Sequence, residues 1–305
     1  MASLISVIVL FYGVSYSKRL ELVAESVLSQ KGVNVDFIIA GFNNATRINR
    51  SSDLSKHPKE NLHDIIRTGK VINNGLRIAR GEFVYISDAD ILLQNQNYLE
   101  RLIQEHLYSG NSLKRPLMKR LLLQDFEWFY SQVSTKGLEK AVASLDKSQE
   151  YIVKPKGAER PMKIFPKFER GKQKIFIASE SDFHEYISSE ENKGSEPRYF
   201  NQDRHCGAVF ARTDHLIEIG GYHEGFVSWG VWDADVQWKL ESQGGIKPIP
   251  YEDEFSVIHL DHERGHFSKL KWEHDKKLQE KRRALGFEKC VEKDKRAYLG
   301  GENEY

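Results

Sequence analysis

The chain has 305 residues, of which 40% are hydrophobic and 29% are charged, and its net charge is +1. The apolar fraction is sufficient for a large core, and the balanced charge gives no electrostatic reason to expect nucleic acid or an anionic membrane as a partner. No apolar run has the length of a transmembrane helix. The two cysteines, Cys206 and Cys290, form neither a disulfide framework nor a zinc pattern, so we expect a reducing, cytoplasmic setting.

The N-terminal third predicts alternating strands and helices. A continuous apolar run from Leu4 to Phe11 is typical of a strand buried on both faces, and because no basic region precedes it we interpret it as a strand and not as a signal peptide. We predict an amphipathic helix over Ser17–Gln30, a buried strand over Val35–Ala40, a helix over His63–Arg80 and a strand over Phe83–Ser87. This alternation indicates parallel strands with helical crossovers, as in nucleotide-binding α/β half-domains.

The middle of the chain is predicted to be an inserted, mostly helical subdomain, roughly Asn111 to Tyr199. Helices are expected over Asn97–Ser109 and Leu113–Leu145, and a basic, proline-containing stretch over Tyr151–Gly171 is expected to be irregular. The pattern then predicts, in chain order, a strand over His205–Arg212, helices over Asp214–Ile219 and Asp233–Ser242, a strand over Phe255–Leu260 and a charged helix over Phe267–Leu285.

Two carboxylates follow the third predicted strand directly, in the sequence Asp88-Ala89-Asp90. A buried strand that leads into two acidic residues places both at its carboxyl end, which is where open α/β sheets bind their ligands. Two hard oxygen ligands one residue apart suit a divalent cation that also holds a phosphate. An isolated Asp-x-Asp is more often a solvated turn, and the strand before it and a second acidic motif downstream favour the functional interpretation.

The second motif begins at Gly220-Gly221, a turn where the backbone can approach a ligand closely. Trp229-Gly230 and Trp232 then precede a predicted helix whose first turn contains Asp233 and Asp235. Helix capping explains one of these carboxylates well, but it explains two carboxylates beside two indole rings less well. Aromatic rings beside carboxylates are typical of sugar-binding sites, because the ring packs on C–H faces while the carboxylate accepts from hydroxyl groups.

A histidine at the end of the last predicted strand completes the set. His259 is followed by Asp261 and His262, and imidazole is a sensible third ligand after two aspartates, particularly for Mn²⁺. A lone histidine at this position is usually structural, and the sequence leaves open whether His259 or His262 is the ligand.

Together these motifs resemble those of a family-two-type glycosyltransferase of the GT-A fold. The similarity rests on SVIVLFYG, on NNGLRIARGEF (Asn73 to Phe83), on the Asp-x-Asp motif, and on the segment from Gly220, which is similar to the C-terminal galactosyltransferase signature. These motifs appear in the family's order and cover about two thirds of the chain, leaving the middle unmatched. The resemblance implies a GT-A fold, a Rossmann-like nucleotide-binding open sheet with an inserted mostly helical subdomain.

The resemblance also implies roles for particular residues. Mn²⁺, or Mg²⁺, would be held by Asp88, Asp90 and His259, and Asp233 falls where inverting galactosyltransferases have their catalytic base. The donor would be bound by Phe11, Tyr12, Gly13, Asn73, Asp88, Ala89 and Asp90. The acceptor would be bound by Trp229, Gly230, Trp232, Glu224 and Asp235.

Three departures from the family pattern concern specificity. Gly41-Phe42 stand where many relatives have an acidic pair near the nucleobase, so base recognition differs. Trp232 replaces the signature glutamate before the catalytic aspartate, and Ala234 replaces the next acidic residue. Both positions usually help to bind the acceptor, so we expect an acceptor other than that of the galactosyltransferases, with Trp232 stacking on a flatter group.

The sequence therefore predicts an inverting, metal-dependent glycosyltransferase that moves a hexose from a nucleotide-diphosphate donor, expected to be a UDP-sugar, to a saccharide or small-molecule hydroxyl. An inactive GT-A-like binding module for carbohydrate or nucleotide sugar, or a retaining glycosyltransferase, is the alternative. The predicted domains are residues 1–110 (donor binding), 111–199 (acceptor-side insertion), 200–265 (catalysis and acceptor binding) and 266–305 (C-terminal helix and tail).

Overall fold

The computed structural model describes residues 2–11, 17–50, 53–54, 67–110, 112, 116–121, 126–146, 151–153, 162–165, 199–202, 207–228, 230–244, 255–260, 262 and 268–300. Within these ranges the core is an open sheet of β1 (Leu4–Leu10), β2 (Asn34–Ala40), β3 (Ala45–Ile48), β4 (Phe83–Asp88) and β10 (Val209–Arg212). Their spatial order is β10-β4-β1-β2-β3, and β1 pairs in parallel with both β2 and β4. The prediction of an α/β fold around an open, mainly parallel sheet is confirmed.

Helices cover both faces of this sheet, which explains why its central strands are apolar throughout. Side chains of α1 (Ser17–Leu28) pack with one set of strand residues, including Val7 and Phe37. Side chains of α2 (Thr68–Ile78) pack with the alternate set, including Ile8 and Ile38. Because successive residues of a strand face opposite sides, a strand covered on both sides has no polar face, and this is the pattern seen in β1 and β4.

A second sheet forms where the sequence predicted a mostly helical insertion. Its strands are β5 (Ile91–Leu93), β6 (Leu117–Leu121), β7 (Tyr151–Val153), β8 (Met162–Phe165), β9 (Tyr199–Gln202) and β11 (Ser256–Leu260), in the order β5-β11-β6-β9-β8-β7. The predicted continuous helix over Leu113–Leu145 is wrong at its start, because β6 pairs with β11 and β9. Two helices follow it, α4 (Phe126–Lys136) and α5 (Leu138–Asp146).

The remaining helices agree with the sequence pattern apart from the last. They are α3 (Tyr98–Ser109), α6 (Thr213–Glu218), α7 (Trp232–Ser242), α8 (Lys269–Leu285) and α9 (Phe287–Tyr298). The predicted helix over Phe267–Leu285 is confirmed as α8, whereas α9 was not predicted and begins after Gly286, whose φ of 93° lies outside helical space. None of the helices among the described residues combines the length and apolar character that a membrane crossing requires.

The two sheets meet at the carboxyl end of β4. The chain leaves the first sheet at Asp88 and enters the second at Ile91, so the Asp-x-Asp motif is the connection between them. In the second sheet β11 lies between β5 and β6, so residues 111–199 and 200–265 share one sheet. The predicted domain limits stay a prediction.

Candidate functional site: a carboxylate and imidazole cluster

The turn after β4 fixes the position of the two motif aspartates. Asp88 and Asp90 are buried, with 7% and 5% of their surface exposed. The backbone N–H of Leu260 donates to the carbonyl of Asp90 at 2.7 Å, and His259 lies opposite Ile91 in the antiparallel pairing of β11 with β5. This register brings the end of β11 beside the aspartate turn, although some 170 residues separate them in sequence.

Both histidines that the sequence left open lie beside Asp90. The Nε2 of His262 is 3.1 Å from Oδ2 of Asp90, and the Nε2 of His259 is 3.6 Å from the same oxygen. One ligand atom from each of the three residues lies within 4.8 Å of the others, which fits a metal ion at their centre. Two imidazoles and a carboxylate suit transition-metal ions, Mn²⁺ among them, better than Mg²⁺, which prefers oxygen ligands and water.

Asp88 borders this cluster without belonging to the three-residue ligand set. Burial, followed by the nearby carboxylates of Asp90 and Asp233, raises the pKa of Asp88 well above its ordinary value, and His262 opposes that effect. Burial and like charges disfavour the ionised form of such a carboxyl group, and a nearby cation stabilises that form. The electrostatics of Asp88 therefore agree with the ligand geometry: the position favours positive charge.

Asp233 reaches the same region from the start of α7. It is 3% exposed, and its Oδ1 accepts from the backbone N–H of Ala234 at 2.7 Å. Its effect on the pKa of Asp88 places the two carboxylates within electrostatic range of each other. The structure therefore brings together Asp88, Asp90, Asp233 and the two histidines, which the sequence selected from three separate segments.

Asn73, which the sequence predicted to contact the donor, forms hydrogen bonds within the protein. Its amide oxygen accepts from the N–H of Tyr222 at 2.9 Å, and its amide nitrogen donates to the Tyr222 carbonyl at 2.9 Å and to Glu224 Oε1 at 2.8 Å. Gly221 has φ 64°, and a Cβ there would lie 2.5 Å from the Asn73 oxygen, so this close approach requires glycine. Asn73 thus holds the turn that precedes the acidic motif.

Three of the predicted acceptor residues are buried within the protein. Glu224 is 8% exposed and accepts from Asn73 and from Arg77. Asp235 is fully buried and accepts from Arg282, which leaves it no access to an acceptor. The ring of Trp232 is 3% exposed and packs on the ring of Tyr222, so the expected stacking of its face on a flat acceptor does not fit this structure.

Asp235 belongs to a buried ion network that joins α7, α8 and α9. Arg282 donates to the two carboxylate oxygens of Asp235, each at 3.0 Å, and to Asp294 at 2.6 Å. Lys239 donates to Asp294 at 2.7 Å and to the carbonyl of Gly221 at 2.6 Å. The network therefore holds the C-terminal helices against the helix of Asp233 and against the glycine turn.

The charges of this network shift each other's protonation. Burial alone would raise the pKa of Asp294, but Lys239, a hydrogen bond with His223 and the charge of Arg282 together lower it far below its ordinary value. Burial lowers the pKa of His223, and Arg282 adds to that effect against the opposing influence of Asp294. The network is therefore stable with Asp294 ionised and His223 neutral.

The remaining predicted site residues lie partly within and partly outside the described residues. Phe11 directly follows β1 and is 7% exposed, Ala89 is 2% exposed, and Gly230 is exposed with φ 89°. Tyr12, Gly13 and Trp229 lie outside the described residues, as do Asp261 and about two thirds of the basic stretch Tyr151–Gly171. Their roles in binding stay predictions.

Tyr222 is a residue of this region that the sequence did not single out. Its side chain is 1% exposed, and burial, then Asp233 and Asp88, raise the pKa of its hydroxyl well above the ordinary value. The only available signal was its place after the two glycines, which is also typical of a core aromatic residue.

The best-defined groove among the described residues lies elsewhere. It has a volume of about 1020 Å³ and is lined by α1, the turn after β5, the start of α3, and the connection between α4 and α5. None of the predicted site residues lines it.

No protein-family model matches this chain, and no curated protein sequence does so either. Among solved structures, the catalytic domain of Drosophila β1,4-galactosyltransferase 7 with xylobiose is similar at 11% identity, covering 90% of this chain and 79% of that chain with a TM-score of 0.43. A variant of the same enzyme was solved with manganese, UDP-Gal and xylobiose. A mannosyltransferase from Pyrobaculum calidifontis with GDP-Man and Mn²⁺ is similar at 12% identity, covering 97% and 70% of the two chains with a TM-score of 0.44. Likeness at this level says nothing of substrate, so the functional argument rests on this chain's own residues.

Proposed function

We propose that this chain is a metal-dependent inverting glycosyltransferase that moves a hexose from a nucleotide-diphosphate donor, first of all a UDP-sugar, to an acceptor hydroxyl. One observation carries the proposal: Asp90, His259 and His262 offer ligand atoms within 4.8 Å of one another, beside Asp88, whose pKa is raised by burial and in part by Asp233. A cluster suited to a cation and a candidate base therefore border one buried carboxylate. Transfer from a nucleotide sugar needs these two functions side by side.

The donor diphosphate belongs on the Asp90 side of the site. Asp90, His259 and His262 would hold Mn²⁺, with Asp88 adjacent to them. When bound, the cation neutralises charge that develops on the leaving diphosphate, which contributes several kcal/mol. The chain's own part is to position the ligands: the hydrogen bond from the Leu260 N–H to the Asp90 carbonyl and the β11–β5 pairing hold the turn of Asp90 beside the end of β11.

Asp233 would act as the general base. In the proposed step the acceptor oxygen attacks the anomeric carbon while the bond from that carbon to the diphosphate oxygen breaks, and the acceptor proton moves to the Asp233 carboxylate. Attack opposite the leaving group inverts the anomeric centre. Proton transfer to a positioned carboxylate typically contributes about 10²–10⁴-fold, and alignment of the two substrates contributes the rest.

We propose that the acceptor, a saccharide or another hydroxyl-bearing molecule, binds near Gly230, with Trp229 and residues 111–199 as the further acceptor contacts that the sequence predicts. Gly230 is exposed, and it connects the described loop to α7. The N–H groups of Val227 and Ser228 in that loop donate to Asp275 of α8 at 2.9 and 2.6 Å, so the loop has a fixed anchor. A fixed loop beside the base is a suitable position for specificity.

Nucleotide binding tests this proposal before any acceptor is known. Titration calorimetry of the purified protein with UDP, GDP, UDP-galactose and GDP-mannose, each with and without MnCl₂, should reveal metal-dependent binding of at least one of them. Asp90→Asn should abolish that dependence, whereas Asp214→Asn, which changes an exposed carboxylate on α6, should leave it unchanged.

The outcome separates the alternatives. Metal-independent binding, or equal binding by the Asp90 variant, contradicts the proposed site. Metal-dependent binding with no transfer or hydrolysis of any donor would favour the inactive binding module, and retention of configuration would favour a retaining enzyme.

A further inference from the structure

Two hydrogen-bond donors beside Asp233 have no partner. Among the described residues, the Tyr222 hydroxyl and the Trp232 indole N–H are buried polar groups without a hydrogen bond. Their side chains are 1% and 3% exposed, and their ring centroids are 5.9 Å apart at an interplanar angle of 50°. A buried donor left unsatisfied typically costs about 1–3 kcal/mol, so two of them together need a reason.

The surrounding structure holds both residues in position. The Tyr222 backbone is held on both sides by the Asn73 amide, at 2.9 Å each, and Trp232 is the first residue of α7. Both rings belong to one apolar cluster with Val231 and Phe226. The two donors are therefore fixed in advance, as expected of groups that serve a ligand.

Their location identifies the part of the ligand that they would meet. Trp232 directly precedes Asp233, and the Tyr222 hydroxyl lies within electrostatic range of both Asp233 and Asp88. Asp88 borders the proposed diphosphate position, and Asp233 is the proposed base. In a transfer reaction the sugar ring lies between the leaving diphosphate and the base, because the acceptor attacks the carbon that the diphosphate leaves.

We propose that Tyr222 and Trp232 determine donor specificity, with the Tyr222 hydroxyl and the Trp232 N–H donating hydrogen bonds to oxygen atoms of the sugar that is transferred. This inference rests on the proposed function and adds to it the part of the substrate that is recognised. Both groups are neutral, which suits hydroxyl or ring oxygens, whereas a phosphate would call for charged donors.

Tyr222→Phe is the sharpest test, because it removes one oxygen and keeps the ring. We expect the affinity for UDP or GDP with MnCl₂ to stay unchanged, while the additional affinity that UDP-galactose or GDP-mannose gains from its sugar falls about tenfold. We also expect the apo protein to unfold at an equal or higher urea concentration, because the variant removes an unsatisfied buried hydroxyl. A tyrosine with a purely structural hydroxyl would change in the opposite direction.

Tyr98→Phe is the matched control. Tyr98 is also fully buried, but its ring packs on Tyr85 and Phe255 on the other face of the sheet. This variant should retain the full sugar contribution. Retention of that contribution by Tyr222→Phe, or a lower urea midpoint for its apo form, would overturn the inference. Failure of the wild-type protein to bind UDP or GDP with MnCl₂ would contradict the proposed function itself.

Discussion

A single substitution separates the proposed catalytic role of Asp233 from its role at the start of α7. As the base it must accept a proton, whereas as a helix-terminal residue it only accepts the Ala234 N–H. Asp233→Asn keeps the size of the side chain but removes its basicity, so donor affinity should stay within a few-fold while turnover falls by about 10² or more. Steady-state kinetics together with donor calorimetry measure both quantities.

Near-normal turnover by Asp233→Asn would remove Asp233 from the mechanism. In that case the residue serves the helix, where asparagine is nearly as suitable near an N-terminus as aspartate.

The paired histidines make a second prediction at the residue scale. Because His259 and His262 both lie beside Asp90, His259→Ala and His262→Ala should each weaken Mn²⁺ binding. Loss of a group that only supports a ligand commonly costs about 10–100-fold in metal affinity, so loss of a ligand should cost at least as much. His274→Ala, which changes a largely exposed histidine of α8, is the control.

Mn²⁺ titration by electron paramagnetic resonance gives these affinities directly. If one of the two histidine variants binds Mn²⁺ like the His274 variant, that histidine is not a ligand.

At the scale of elements, the ion network predicts that α8 and α9 stabilise α7 and the glycine turn before it. Arg282→Met leaves Asp235 and Asp294 buried without their guanidinium, and loss of one partner from a buried pair typically costs about 3–5 kcal/mol. Arg296→Met removes an exposed pair with Glu292, and such pairs contribute about 0–1 kcal/mol. Urea denaturation of both variants measures the difference, and equal losses would contradict the assigned role of the network.

The sequence predicted those elements whose formation depends on the local pattern of apolar and polar residues. The strands β1, β2 and β4 are apolar because both of their faces are covered. Their residue types alone therefore indicate burial. Strand β6 has no such signal: it exists because β11 and β9 pair with it, and these partners are remote in sequence. The charged pattern of α8 favoured a solvated face, which is correct for most of the helix but not for Asp275, Gln279 and Arg282.

At the scale of the whole molecule, the buried state of His223 predicts a dependence of stability on pH. Its folded pKa is lowered, with Asp294, Arg282, Asp235 and Lys239 around it. In the unfolded chain His223 therefore binds a proton near the ordinary histidine pKa of about 6.5. In the folded chain it does not bind that proton until the pH is lower. The stability that this group provides is present above that pH and declines below it, by up to about 1.4 kcal/mol per pH unit.

Asp294 extends the decline in stability to lower pH. Its folded pKa is lowered, so the stability that it contributes is lost as the pH falls towards that pKa. Urea midpoints at pH 7.5 and 5.5 measure the effect, and His223→Gln should flatten the slope between them. An unchanged slope in that variant would contradict the buried neutral state of His223.

The part of the candidate site that the sequence could predict is the set of residues at the ends of predicted strands. Asp88 ends β4 and Asp90 follows it, whereas His259 lies near the end of β11 in the second sheet, and the pairing of β11 with β5 brings His259 beside Asp90. The roles of Trp232 and Asp235 were not predictable, since whether an aromatic or acidic residue faces a ligand or a neighbouring helix depends on packing. Arg282 buries Asp235, and Tyr222 covers the Trp232 ring.

The central claim, inverting transfer assisted by a cation at Asp90, His259 and His262, is tested most directly with water as the acceptor. Purified protein is mixed with MnCl₂ and UDP-galactose or GDP-mannose, both of which carry α-linked sugars, and the first sugar released is observed by ¹H NMR before it equilibrates in solution. We predict that the β anomer appears first and that its release stops when the metal is chelated. The α anomer as the first product, or release that continues without metal, would contradict the account.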